Sequence, residues 1–104
     1  MRKEIIGIWN AENKMWFHTW KRNIKRIKHW TKEMYSYVSP DGATTFKYVT
    51  DAAPICDNLA CSTAIDWRVM RFKIVNETSM QQLYRPNKVS YPRLKHMGLQ
   101  ARLP

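Results

Sequence analysis

Residues 14–32 read KMWFHTWKRNIKRIKHWTK, and their pattern decides the expected fold. Large apolar residues recur here and just beyond at spacings of four, four, three and seven, which keep them on one face of an α-helix. Asn10 can cap such a helix, because its side-chain oxygen accepts hydrogen bonds from the free amides of the first turn. The pattern predicts one long amphipathic helix over residues 11–34. Its apolar face, which we expect to contact other protein, comprises Trp16, Trp20, Ile24, Ile27 and Met34.

The residues after this helix predict a small antiparallel sheet on which the helix packs. Residues 35–38 and 44–50 are rich in aromatic and β-branched side chains, which favour strands. Between them, Pro40 fixes one backbone angle of a turn, and Gly42 can adopt a positive φ. We therefore expect a β-hairpin over residues 35–50.

Residues 63–76 fit either a helix or a third strand of this sheet. Thr63 and Asp66 have the spacing of a capping box, which favours a helix. The content of Trp, Val, Phe and Ile favours a strand, with a bulge near Val69 and Met70 where the apolar side of the strand changes. A strand that pairs with the second half of the hairpin is the preferred interpretation.

The whole chain is expected to form an α+β fold, with one small domain over residues 1–84 and an extended basic tail over residues 85–104. In this fold the long N-terminal helix packs on the hairpin and on a third strand at about 64–75. A loop over residues 55–62 holds both cysteines. A short helical segment over residues 78–83 ends before the first proline of the tail, because the residue before a proline avoids helical angles.

The charge pattern predicts an anionic partner. The chain carries 18 basic and 8 acidic side chains, and no acid occurs between Lys14 and Lys32 or after Glu77. Solvated helix faces normally mix Glu with Lys, because such pairs stabilise the helix. We expect both basic segments to bind RNA phosphates, since each neutralised phosphate releases a counterion. The expected RNA-binding residues are Lys14, Lys21, Arg22, Lys25, Arg26, Lys28, Lys32, Arg85, Lys88, Arg93, Lys95 and Arg102.

These features predict a non-catalytic structural component of a large assembly. The leading hypothesis is a ribosomal protein, with a mitochondrial ribosome as one case, that binds RNA and neighbouring protein subunits. The alternative is an accessory subunit of a mitochondrial respiratory complex or another membrane-bound complex, docked at the membrane surface through the basic helix face. Neither hypothesis requires a cofactor or a small-molecule substrate, and none is expected.

The sequence carries no recognised catalytic motif. It has three Gly and lacks a Gly-rich phosphate loop, a His-Glu-x-x-His motif and a nucleophile elbow. Cys56 and Cys61 are interpreted as ordinary thiols, with a local disulfide and a zinc site as the alternatives, because no second cysteine pair exists to complete a zinc site. Without an apolar run of membrane-spanning length or a secretory signal, an intracellular location is expected, with mitochondria as one option.

Overall fold

The computed structural model describes residues 4–73 and 76–86 of the chain. In this part the protein forms one α-helix and an antiparallel sheet of six strands. The elements are β1 (Glu4–Asn10), β2 (Met15–His18), β3 (Ser36–Val38), β4 (Thr45–Phe46), α1 (Val49–Thr63), β5 (Trp67–Lys73) and β6 (Asn76–Tyr84). The strand order is β3-β2-β1-β5-β6, and β4 pairs with β1 beside β2. The prediction of a long N-terminal helix on a small sheet is therefore wrong, because the fold is mostly sheet and its helix lies in the middle of the chain.

The predicted helix over residues 11–34 is replaced at its start by a tight turn. Asn10 accepts hydrogen bonds at its side-chain oxygen from the backbone N–H groups of Glu12 (2.8 Å) and Asn13 (3.3 Å). The N–H of Lys14 donates to the Asn10 carbonyl at 2.8 Å, with Lys14 in the left-handed region at φ 62°. Asn10 thus caps amides as expected, but these amides belong to the turn that joins β1 to β2.

The aromatic run after this turn forms a strand for a steric reason. Trp16 and Phe17 are 2% and 0% exposed and point to opposite faces of the sheet, which only an extended backbone allows for adjacent residues. Aromatic side chains also favour strands over helices. Farther on, Asn23 adopts a left-handed φ of 54°, which a continuous helix cannot contain. Beyond it, two short 3₁₀ turns, Ile24–Arg26 and Lys32–Met34, are formed in place of the α-helix.

The predicted hairpin over residues 35–50 is also wrong, although both of its strands exist in shortened form. β3 pairs with β2, with Tyr37 opposite Phe17, whereas β4 pairs with β1, with Phe46 opposite Ile6. The residues between them form a 3₁₀ turn at Pro40–Gly42. The two strands therefore add to the edges of an existing sheet and do not pair with each other.

Residues 55–62, predicted to be a loop, lie inside α1. The buried side of this helix repeats at the helical spacing i, i+3, i+4, i+7, i+8 and consists of Ala52, Ile55, Cys56, Leu59 and Ala60. Pro54 lies within the helix on its exposed side, and it removes one backbone N–H donor from the helix there. The helix ends at Ala64, which has a left-handed φ of 60° and donates its N–H to the Ala60 carbonyl at 2.8 Å.

β5 is a strand, as the preferred interpretation of residues 63–76 held, but its partners are β1 and β6 and not residues 44–50. Val69 and Met70 are both buried because both faces of this central strand are covered, and its pairing with β1 runs without a bulge. The register shift at Val69/Met70 occurs only towards β6, which has Leu83 as an extra residue. The strand β6 takes the place of the helical segment expected over residues 78–83.

The sheet has an apolar cluster on each face. The cluster under α1 contains Ile8, Phe17, Trp30, Tyr35, Trp67 and Val69 together with the buried side of the helix. The cluster on the opposite face contains Ile5, Trp16, Met70 and Phe72. Gly7 is needed on that face, because a Cβ there would lie 3.0 Å from two ring atoms of Trp16. The two clusters fix the sheet, and within residues 20–32 the basic side chains remain on the surface whereas Trp30 is buried.

Candidate functional site

The cationic loop, residues 20–32, contains the densest positive charge of the described chain. It includes no acid, and each of its basic side chains is exposed: Lys21, Arg22, Lys25, Arg26, Lys28, His29 and Lys32. Lys25 pairs with Asp51 of α1, with 3.0 Å between Nζ and Oδ1, and its side chain is still 66% exposed. The loop therefore presents a strongly positive surface to the solvent.

The loop is held in place by its apolar residues and its backbone. Trp30 is 1% exposed, and its backbone N–H donates to the hydroxyl of Ser62 at 2.8 Å. The side-chain amide of Asn58 donates to the carbonyl of Ile27 at 3.2 Å. Because Ser62 and Asn58 both belong to α1, the loop is fastened to the helix, and its cations are held at defined positions on the surface.

Trp20 begins the loop and is largely exposed. Its side chain is 57% accessible to solvent, and its ring centroid lies 6.4 Å from that of His18. A large aromatic ring next to a row of cations can stack on a nucleic-acid base or pack on a partner protein. The structure thus separates Trp20 from the packed apolar residues with which the sequence grouped it.

An aromatic cleft of about 740 Å³ lies at the C-terminal end of the cationic loop. Its apolar walls are Trp30, Tyr35, Tyr37 and Ile65, and two polar residues of the loop, His29 and the cation Lys32, line it as well. The hydroxyl-bearing side chains of Thr31, Ser36, Ser62 and Thr63 complete the lining. The volume lies within the range of small-ligand sites, which is roughly 300–1,000 Å³.

The aromatic residues of the cleft are fixed by ring contacts. Tyr37 stacks on Trp67 with centroids 5.8 Å apart and ring planes 17° apart, and Tyr35 meets the same Trp67 ring edge-on at 5.7 Å. Asn10 donates a hydrogen bond to the Tyr37 hydroxyl at 3.1 Å. Burial, and then the hydrogen bond with Tyr37, raise the pKa of Tyr35 to about 12. The rings of Tyr35 and Tyr37 are therefore held in place, and the Tyr35 hydroxyl is neutral at physiological pH.

The indole N–H of Trp30 is a buried donor without an acceptor in the described part of the chain. Buried polar groups in native proteins are nearly always paired, and an unpaired donor weakens the fold. The neighbouring Trp67 shows the usual arrangement, since its indole N–H donates to the Thr63 hydroxyl at 2.9 Å. Trp30 is thus held by its packing and by its backbone N–H, which donates to the Ser62 hydroxyl, and not by its indole N–H.

The predicted RNA-binding residues do not form one surface. The loop brings together Lys21, Arg22, Lys25, Arg26, Lys28 and Lys32, whereas Lys14 lies in the turn between β1 and β2. Arg85 is not free of acidic neighbours, because its guanidinium pairs with Asp66 at 3.2 Å. The remaining predicted residues, Lys88, Arg93, Lys95 and Arg102, lie outside the described part of the chain, as does most of the predicted tail.

The predicted protein-facing residues are also divided. Trp16 packs on Phe72 with 5.5 Å between ring centroids, on the sheet face away from α1. Ile24, Ile27 and Met34 are partly buried against the cluster under α1. Trp30, Tyr35 and Tyr37 were not predicted as site residues. The alternation Tyr35-Ser-Tyr37 in a short strand was the one sequence signal for two of them.

Other chemistry finds little support in the part of the chain that the structure describes. Residues 4–73 and 76–86 contain no group of three His, Cys, Asp or Glu side chains that could hold a metal ion. Within the same residues, no helix has the length and apolar character needed to cross a membrane. Cys56 and Cys61 are thiols and do not form a disulfide. Burial raises the pKa of the Cys56 thiol, which makes it a poor nucleophile.

Comparisons with known proteins give no match. No family model, curated protein or solved structure is significantly similar to this chain. The function must therefore be argued from the cationic loop and the aromatic cleft themselves.

Proposed function

We propose that the protein is a non-catalytic RNA-binding component of a larger assembly, and that the cationic loop is its RNA-contacting surface. One observation carries the proposal. Six Lys and Arg side chains lie exposed on residues 20–32 with no acid among them, on a backbone that α1 holds in place. Such a surface repels itself, and a polyanion relieves that repulsion.

Contacts with phosphates predict a specific dependence of the binding constant on salt concentration. Each phosphate neutralised on a single strand lowers the slope of log K against log salt by about 0.7. Six contacts would give a slope of about −4. Binding through the aromatic residues alone would depend only weakly on salt.

The test compares two variants that lose the same charge. The loop variant carries Lys21→Gln, Arg22→Gln and Arg26→Gln, and it keeps Lys25 with its ion pair to Asp51. The control variant carries Lys47→Gln, Arg71→Gln and Lys73→Gln, which lie outside the loop. The probe is a fluorescent 12-nucleotide oligo(U) strand, and the measurement is its anisotropy as a function of sodium chloride.

We expect the loop variant to bind oligo(U) about 100-fold more weakly at 0.1 M salt, with a slope flatter by about 2, and the control to lose much less. Equal losses in the two variants would show that total charge and not the loop determines binding. Failure of the unaltered protein to bind RNA at all would reject the proposal.

The assembly that we propose is an intracellular ribosome-type ribonucleoprotein, with a mitochondrial ribosome as one case. The test is sedimentation of the native particle from cells that express the tagged protein. The protein should migrate with large RNA and shift to light fractions after ribonuclease treatment. Release by mild detergent, with ribonuclease having no effect, would instead support a membrane-bound complex.

The accessory-subunit alternative has lost its main argument. It rested on an amphipathic helix that would lie in the membrane surface, and residues 11–34 form no such helix. The loop variant and its control also decide this alternative if vesicles rich in anionic phospholipid replace RNA as the probe. Loop-dependent binding to vesicles in the absence of RNA binding would favour it.

A further inference from the structure

We infer that the aromatic cleft receives an unpaired base of the bound strand, so that the protein selects single-stranded over duplex RNA. The inference rests on the proposed function of the cationic loop and adds to it the form of RNA that is bound. It draws on the position, the lining and the polar groups of the cleft.

The position of the cleft makes it continuous with the cationic loop. His29 and Lys32 are exposed residues of the loop and also line the cleft. A strand whose phosphates follow the loop therefore reaches the cleft without leaving positive charge. The volume of about 740 Å³ is larger than a single base requires, so that the attached sugar and phosphate can also be accommodated.

The lining of the cleft suits a flat aromatic ligand. Tyr37 offers a ring surface on which a base can stack, and stacking of this kind tolerates any base. Tyr35, which is only 6% exposed, contacts the Tyr37 ring from the core side. Tyr37 is 36% exposed, so its ring is accessible without a change in the fold. Bases within a duplex are stacked on each other and cannot enter such a site, which is why the cleft distinguishes the two forms of RNA.

The polar groups of the cleft match the edge of a base. Hydroxyl groups of Thr31 and Ser36 line the cleft and can either donate or accept hydrogen bonds.

The test uses three probes of equal length with the unaltered protein and two variants. The probes are a 12-nucleotide oligo(U) strand, a 12-nucleotide strand that is abasic throughout, and a 12-base-pair RNA duplex. The cleft variant is Tyr37→Leu, which removes the ring and keeps a large apolar side chain. The matched control is Tyr48→Leu, because Tyr48 is 57% exposed and does not line the cleft.

We expect Tyr37→Leu to bind oligo(U) about 10-fold more weakly, as the loss of a stacked base implies, and to bind the abasic strand as tightly as the unaltered protein does. Retained binding of the abasic strand also shows that the variant is folded with its loop intact. Tyr48→Leu should behave like the unaltered protein with every probe. Duplex binding should not respond to Tyr37→Leu.

Two results would overturn the inference. The first is unchanged oligo(U) binding by Tyr37→Leu. The second is an equal loss for oligo(U) and the abasic strand in a variant that melts at the same temperature as the unaltered protein. Neither result decides whether the cationic loop binds RNA. That is tested by the loop variant, which should weaken the binding of oligo(U) and of the abasic strand alike. Failure of the cleft and failure of the loop are therefore distinguishable.

Discussion

The cationic loop has a helical sequence pattern but is not a helix, whereas α1 is a helix although its sequence contains a proline. The loop belongs to the stretch with the clearest separation of apolar and basic residues, yet it contains a 3₁₀ turn and no α-helix. The helix contains Pro54 and two cysteines and nevertheless runs for 15 residues. Apolar residues at helical spacing therefore do not form a helix where a strand buries the same side chains more completely.

Burial explains which pattern produced a helix. In α1 the residues at helical spacing are small or aliphatic and pack closely on the sheet, so one helical face buries all of them. In β2, which precedes the loop, the large aromatic residues Trp16 and Phe17 are buried on opposite sheet faces, and the basic residues of the loop would repel each other at helical spacing. The buried side chains of the helix and the sheet therefore provide most of the stability, and the exposed charges of the loop are available for binding.

The largest expected difference between the two regions is in the cost of truncating an apolar side chain. Leu59→Ala in α1 removes a side chain that is 0% exposed and should lower the free energy of unfolding by about 2–5 kcal/mol. Ile27→Ala in the loop removes a partly buried side chain and should cost about 1 kcal/mol or less. Urea denaturation followed by circular dichroism measures both, and equal costs would contradict the division of roles.

The next effect concerns Asp66, which joins the end of α1 to β5 and to the end of β6. Its carboxylate accepts hydrogen bonds from Arg68 at 2.8 Å and Arg85 at 3.2 Å, and the Arg68 bond is the main cause of its lowered pKa. Asp66→Asn should cost about 1–2 kcal/mol at pH 7, as expected for hydrogen bonds to a charged group.

The pH dependence of this effect has a definite sign. A carboxyl whose pKa is lower in the folded state stabilises the protein above its unfolded pKa of about 3.9 and loses that contribution as the pH falls through its folded pKa. The difference between the unaltered protein and Asp66→Asn should therefore be constant near neutrality and shrink in acid. Urea titrations at several pH values measure it, and a gap that widened in acid would refute this assignment.

A smaller effect of opposite sign is expected where α1 ends. Ala64 holds a left-handed φ of 60°, a conformation that costs alanine about 1 kcal/mol and glycine almost nothing. Ala64→Gly should raise the unfolding free energy by about 0.5 kcal/mol after the larger chain entropy of glycine is subtracted. The control Ala53→Gly, inside the same helix, should lower it by about 1 kcal/mol. Thermal melting resolves the two signs, and destabilisation by both would count against the described end of the helix.

The smallest effect on stability is expected from the charge of the loop. The variant with Lys21→Gln, Arg22→Gln and Arg26→Gln should change the unfolding free energy by no more than about 0.5 kcal/mol, because these side chains are exposed. Its loss of RNA affinity would then reflect binding alone. A large loss of stability in this variant would mean that these charged side chains contribute to the fold. It would contradict the proposed difference between the loop and α1.

Part of this structure could be predicted from local chemistry. Residues 67–73 form a strand, and the basic side chains between residues 21 and 32 are exposed. Each of these features depends on side chains within a few positions of one another. The residues from Ala52 to Ala60 also have helical spacing in the sequence, but Pro54 lies among them and disfavours a helix interior.

The rest depends on contacts between distant residues, which the sequence alone does not display. Tyr37 lines the cleft because β3 pairs with β2, and its ring is fixed by Trp67 of β5, which is distant in the sequence. The cleft itself is formed where the loop meets the end of α1, through Ser62 and Thr63. The charge of the site was therefore predictable, whereas its aromatic walls were not.

The pairing of β1 with β5 has a consequence for how the chain folds. Glu4 lies opposite Lys73 and Asn10 opposite Trp67, so the central ladder of the sheet joins distant parts of the sequence. Folding must close this long loop before the ladder can form, and domains with such non-local pairing fold slowly, in milliseconds to seconds. During synthesis, the apolar side chains of Ile5 and Ile8 remain without their central partner strand until residue 73 has left the ribosome. The nascent chain should therefore be most prone to aggregation in that interval.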